Sequence, residues 1–177
     1  MPFTPPPVDD VLAEVNGRFG PLEASIFRGQ TRLIVPEARA FEVLEFLKEA
    51  GFDLLVDVSC VDYLDYRDPP MQCPSVSGHR YGLVYLLAST ATNQRLTVRV
   101  FVDDPAPTVA SVVPLWEAAN WLEREVWDLF GVRFTGHPDL RRLVMPEEFT
   151  AHPLRKDYPL QGRGERHNFP VITRDRS

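Results

Sequence analysis

The chain has 177 residues, 44% of them hydrophobic and 25% charged, the composition of an ordinary globular domain with room for an appendage. Its formal charge of −6 argues against a protein built to hold nucleic acid on a basic surface. Two cysteines, Cys60 and Cys73, with no CxxC spacing, make neither a disulfide framework nor by themselves an iron–sulfur site, which takes about four thiolates.

The opening MPFTPPPVDD has neither a basic nor an apolar leader segment, and no stretch reaches the roughly 18 apolar residues that cross a bilayer. An intracellular, reduced protein without a direct membrane span is expected. Val8, Leu12, Val15 and Phe19 are spaced as the stripe of a short amphipathic helix, closed by Gly20 and Pro21. EASIFRGQTRLIVP reads as two strands turning near Gly29 and Gln30, where glycine supplies the positive φ of a hairpin turn. Ala40, Phe41, Leu44 and Leu47 mark a second helix over residues 37–50, stopped by Gly51.

Phe52, Leu54, Val56, Val58 and Cys60 alternate with a more polar set, so they are expected to line the apolar face of a half-buried strand. Between Tyr63 and His79, three prolines and no periodicity mark an exposed loop. RYGLVYLLAS, apolar on both faces, reads as an interior strand. RLTVRVFVDD sets Leu96, Val98, Val100 and Val102 against Thr97, Arg99 and Phe101, with a turn before it at Asn93 and Gln94. A last helix is predicted from near Thr108, bending or restarting at Pro114 and ending at Gly131, with Leu115, Ala119, Leu122, Val126 and Leu129 toward the core. Trp116, Trp121 and Trp127 do not all fit on one face of it, so at least one is expected to face something else. Residues 1–136 therefore read as an α+β body, a small two-layer sandwich of a mixed or antiparallel sheet with helices on one side.

Residues 137–177 read differently. Prolines at 138, 146, 153, 159 and 170 leave no room for an ordinary helix, so an extended, kinked, Pro-rich arm is expected. It carries Leu140, Leu143, Val144, Phe149, Leu154, Leu160 and other apolar side chains that need a surface to lie on. With 8 Lys and Arg against 6 Asp and Glu it is basic, whereas residues 1–136 hold 11 against 19. HPDLRR (137–142) and HPLRK (152–156) repeat one scheme, a stiff backbone bearing forked guanidinium groups suited to carboxylates, which points to a partner-binding strip. In the alternative, the arm folds back on its own domain and leaves its charges in water.

No GxGxxG or GxxxxGK[ST] is present, and His79, His137, His152 and His167 lack metal-ligand spacing. Glu123, Arg124, Glu125 and Asp128 form the densest titratable group, but on a helix Arg124 and Asp128 can simply bridge each other. No catalytic, cofactor-binding or metal-binding residue is expected.

WLEREVWDLFGVRFTGHPDLRRLVMPEEFTAHPLRKDYPL (121–160), together with DVSCVDY (57–63), resembles the C-type (thirty-kilodalton) subunit family of NADH:quinone oxidoreductase, respiratory complex I. The resemblance implies a small α+β subunit of the peripheral arm, on the cytoplasmic side of the cell membrane. It implies docking against the D-type (forty-nine-kilodalton) protein and other peripheral-arm subunits. FMN and iron–sulfur clusters on those partners would carry electrons from NADH to quinone, coupled to proton translocation, while this chain holds no cofactor. Carried over position by position, Glu123, Arg124, Glu125, Asp128, His137, Asp139, Arg141, Arg142, His152, Arg155, Lys156, Asp157 and Tyr158 are the expected partner interface. Membrane-bound hydrogenases and ferredoxin- or other-donor:quinone oxidoreductases contain similar subunits and form the alternative.

Overall fold

Helix α1 (Val8–Phe19) is followed by β1 (Glu23–Phe27), β2 (Gln30–Val35), a 3-10 turn (Glu37–Arg39), α2 (Ala40–Glu49), β3 (Leu54–Asp62), β4 (Tyr81–Ala88), β5 (Arg95–Val102), β6 (Thr108–Ala110), α3 (Ala119–Phe130) and β7 (Arg133–Thr135). The structure is a computed structural model that describes residues 8–66 and 78–164. Most of the loop expected between Tyr63 and His79, and the arm beyond residue 164, therefore lie outside the described residues.

Five strands pair in the order β1-β2-β5-β4-β3, with β2 and β5 parallel and the other neighbours antiparallel. The β1–β2 turn places Arg28 and Gly29 both at positive φ, as a two-residue hairpin of right-handed strands requires. Side chains of period two send Leu33, Val35, Leu83, Tyr85, Leu96, Val98 and Val100 to one face, where Val11 and Val15 of α1, Val43, Leu44 and Leu47 of α2 and Ala119 and Val126 of α3 complete a single core. The fold is the mixed α+β sandwich read from the sequence. Among the described residues, its other face carries a small buried cluster of Ile34 and Phe101 with Tyr63 against it.

Two local readings need correction. In β3 the buried residues are Leu55, Val58 and Cys60, while Leu54 and Val56 are exposed. The register shifts between Leu55 and Asp57, so Val56 is an extra residue that inverts the alternation. Without that bulge, either Leu55 or Val58 and Cys60 would leave the core, at about 1.5–3 kcal/mol for a large aliphatic side chain. The second correction concerns the last helix. It begins at Ala119, and Thr108–Ala110 is instead a short strand parallel to β7. A β-branched, extended TVASVV segment followed by Pro114 favours that outcome over a helical turn.

The tryptophans separate as expected. Trp116 is buried and donates its indole N–H to the carbonyl of Asp53 at 3.1 Å, Trp127 is half-buried, and Trp121 is 60% exposed.

Candidate partner interface

Helix α3 has no basic residue in its last turn, so its terminal carbonyls and its negative end are left without partners of its own. Residues 137–164, which contain neither helix nor strand, supply them. The ring Nδ1–H of His152 donates to the carbonyl of Asp128 at 2.9 Å, the N–H of Leu154 to that of Leu129 at 3.0 Å, and the Nε–H of Arg155 to that of Phe130 at 2.6 Å. At the first turn, the Nε2–H of His137 donates to the carbonyl of Asn120 at 3.1 Å, while its Nδ1 accepts the N–H of Asp139 at 3.0 Å. The two His-Pro repeats thus clamp the two ends of one helix.

Gly131 makes the close approach possible. It ends α3 with φ of 79°, and a Cβ built there would collide with Arg155 Nη2 and stand 2.6 Å from His152 Cδ2.

Between the clamps lies Asp128, fully buried on α3. Its Oδ2 accepts the N–H groups of Leu143, Val144 and Met145 at 2.8–2.9 Å, and its Oδ1 meets Arg142 Nη1 at 2.5 Å. Burial works to raise this carboxyl's pKa, but the three amides and the guanidinium outweigh it and hold the group below its ordinary range. Arg142 also donates to the carbonyl of Ala151 at 3.2 Å and lies over the rings of Trp127 and Phe149.

Glu123 is also fully enclosed, but it faces the body. It accepts the hydroxyl of Ser111 at 2.6 Å and the N–H of Val112 at 2.7 Å, tying α3 to the segment after β6. Burial raises its carboxyl to about 7 against the opposing effect of these two donors. Arg124 is 6% exposed, stacks on Trp121 and donates to the carbonyls of Arg141 and Arg142 at 3.2 and 3.1 Å.

A second anchor was not foreseen. Asp62, buried at the end of β3, accepts the backbone N–H of Lys156 at 2.8 Å and pairs with Arg80 at 3.2 Å, and Arg80 reaches on to Asp157 at 2.9 Å and Asp104 at 2.5 Å. The only sequence signal is a carboxylate two residues past Cys60, on the core-facing phase of β3. Nothing local marks Arg80.

The thirteen expected interface residues therefore divide. Glu123, Arg124, Asp128, His137, Arg142, His152 and Arg155 spend their polar groups within this chain, because the arm returns to its own helix. The expected repeat of stiff, arginine-bearing strips is present, but its first carboxylate is intramolecular. Glu125, Asp139, Arg141, Lys156 and Asp157 have exposed side chains, Arg141 pairing with Asp139 at 2.9 Å, and Tyr158 is half-buried against Phe149. Around this frame apolar side chains face outward, among them Trp121 at 60% exposure, Val144 at 57%, Leu154 at 50% and Leu143 at 37%, with Leu160 fully exposed beyond them.

The family model described as respiratory-chain NADH dehydrogenase, 30 Kd subunit, matches residues 33–164, which span the sheet from β2 onward, α3 and the whole clamp. The chain belongs to that family. Among its relatives, the C-type subunit of NADH-quinone oxidoreductase from Geobacter metallireducens is 42% identical over 144 residues, covering 81% of this chain and 83% of that protein. A trypsin-resistant fragment of Nqo5 superposes with a TM-score of 0.65 at 35% identity, over 75% of this chain and 98% of the fragment. A chain of the membrane-bound sulfane sulfur reductase, an archaeal respiratory membrane complex, shares the fold with a TM-score of 0.71 at 20% identity, over 96% of both chains. Among the described residues of this NADH dehydrogenase family member, no helix is long and apolar enough to cross a membrane, and no three His, Cys, Asp or Glu gather as a metal-ligand set.

Proposed function

We propose that this chain is the structural C-type subunit in the peripheral arm of an NADH:quinone oxidoreductase. Its body and its clamped arm form one rigid part that fixes neighbouring subunits, the D-type protein first among them, at the cytoplasmic face of the membrane. FMN and iron–sulfur clusters on those neighbours carry electrons from NADH to quinone, coupled to proton translocation, and no residue of this chain reacts. Electron transfer over protein distances depends on rigid supports, so a subunit without chemistry can still govern it.

The observation that carries this reading is the outward apolar set of Trp121 on α3 and Leu143, Val144 and Leu154 on the arm, which Asp128, Arg142 and His152 hold against that helix. An exposed tryptophan on a rigid frame is the usual centre of a protein interface. The division into a body of residues 1–136 and an arm of residues 137–177 belongs to the same proposal. So do the roles of Glu125, Asp139, Arg141, Lys156, Asp157 and Tyr158 as the polar rim, while Glu123, Arg124, Asp128, His137, Arg142, His152 and Arg155 act by shaping the arm.

The test is purification of the tagged full chain from solubilised membranes, with identification of its companions and assay of NADH:quinone activity. Copurification with a D-type protein and retained activity are expected. Recovery of the chain alone, from membranes whose oxidoreductase is intact, overturns the proposal. Companions that include a hydrogenase or ferredoxin module in place of an NADH-oxidising one would move it to the alternative machine.

A further inference from the structure

Among the described residues no element covers the sheet face away from the helices, and its chemistry differs from that of the chain as a whole. Strand registry places Arg32, Arg95 and Arg99 on this side, with the carboxylates Glu23 and Asp57 and the apolar Leu54 and Leu86. At one end Tyr63 and Phe101 pack over Gly82, and His79 stacks on Phe101. The other end opens into a groove of about 430 Å³ whose floor is apolar (Leu54, Val56, Leu86) and whose rim is polar (Gln30, Arg95, Thr97). Leu54 and Val56, the residues around the β3 bulge, are 45% and 52% exposed.

Two of the arginines of this face, Arg95 and Arg99, have no ion pair among the described residues. Arg95 makes no hydrogen bond or ion pair among the described residues. Arg99 reaches only the hydroxyl of Tyr63, at 3.5 Å, and its Nε is buried without a hydrogen-bond partner. Arg28, in the adjoining turn, meets only the ring of Phe27. Three strand arginines against Glu23 and Asp57 leave this face net positive in a chain of net charge −6.

We infer that this open sheet face is a second docking surface, taking an acidic segment of a different protein chain that lays one or two apolar side chains in the groove and its carboxylates against Arg95 and Arg99. The chain's own remaining segments do not fit that description. Residues 165–177 hold three Arg against two acidic residues, residues 67–77 one Arg and one Asp, and residues 1–7 no carboxylate side chain at all. A second copy would set the same arginines against each other, since a two-fold interface apposes identical patches. Size also bears on the occupant. Five strands about 4.8 Å apart and roughly 20 Å long give a face of the order of 500 Å². A free-standing interface takes about 800 Å² per partner. The occupant is therefore a neighbour already held in the same assembly, and in this the inference rests on the subunit reading above.

A photoreactive benzoylphenylalanine at Leu54, in the tagged full chain within the complex extracted from membranes, tests it. The same probe at Val144 reports on the α3 and arm surface. The expected result is a cross-link from Leu54 to a net-acidic peptide of another subunit, at least tenfold weaker with Arg95→Glu and retained with Arg95→Lys. Arg95 is exposed, so neither change threatens folding. Cross-links to residues 165–177, to a second copy or to a basic segment overturn the inference. So does a Leu54 probe that forms no cross-link while the Val144 probe does, an outcome that leaves the subunit reading standing. Silence at Val144 as well removes both.

Discussion

Arg142 and Asp128 meet at 2.5 Å beneath the arm, the carboxylate fully enclosed and the guanidinium side chain 11% exposed. Removing one member of a buried pair strands the other, so Asp128→Asn is expected to lower unfolding free energy by about 3 kcal/mol in urea titration. The three amides of residues 143–145 would lose their shared acceptor at the same time, so trypsin cleavage after Arg141 and Arg142 is expected to accelerate. Unchanged stability would mean that the arm is held elsewhere, through Asp62.

Gly131→Ala combines two costs, a left-handed φ and a collision with His152 and Arg155. Gly136 has φ of 80° with open space around it, and so isolates the first cost, about 1–2 kcal/mol. The expected order is a clearly larger loss of stability for Gly131→Ala than for Gly136→Ala, measured by thermal unfolding. In a chain truncated after Gly136, which is expected to fold with lowered stability, the excess at Gly131 should vanish. An equal cost at both positions in the full chain would dissolve the close approach.

Glu123 gives the body an unusual response to pH. Its folded carboxyl titrates near 7 against an ordinary value of 4.5, so between these values the folded state binds more protons than the unfolded one. Stability from this group is complete below about pH 4.5 and is lost as pH rises through 7, by at most about 3 kcal/mol. His152, lowered chiefly by burial, works the other way, losing stability as pH falls through its depressed folded pKa. Asp128 and Asp62, both lowered, lose theirs only as pH falls below the ordinary Asp value of 3.8. The difference between the wild type and Glu123→Gln, followed from pH 4.5 to 8, is expected to fall with rising pH. A flat difference would show Glu123 to be ionised in the fold throughout.

Trp121→Ala tests the proposed interface apart from the core. At 60% exposure the side chain is expected to cost no more than about 0.5–1 kcal/mol of stability, whereas loss of buried Trp116 by the same change costs about 3–5 kcal/mol. Copurification with the neighbouring subunit should weaken sharply for Trp121→Ala. Full recovery of the complex from that variant would place the interface elsewhere.

Much of the body was legible because its signals are local. The stripes of α1 and α2, the β1–β2 hairpin and the alternation of β5 depend on neighbours a few residues apart, and the observed elements follow them, with the turn at Arg28 and Gly29, one residue before the expected Gly29 and Gln30. The described residues 137–164 contain neither helix nor strand, and proline, which removes donors and fixes φ, is the physical reason. Where the outcome hinges on pairing with distant chain, the pattern was insufficient. The β3 bulge exists because Leu55 and Val58 must both reach the core against β4, and Thr108–Ala110 is a strand because Arg133–Thr135 lies alongside.

The same limit governs the site. Composition and spacing marked the acidic helix and the basic C-terminal stretch, while the family came from the resemblance carried by residues 121–160 and 57–63, because charge, proline spacing and motif order are written in the chain itself. Only the tertiary structure decided which carboxylate each arginine meets. Asp128 takes Arg142 and three amides from residues 14 to 17 positions away, and Asp62 takes the N–H of Lys156 across 94. A buried charge selects whichever donors the folded backbone brings within about 3 Å, and that proximity is a property of three dimensions.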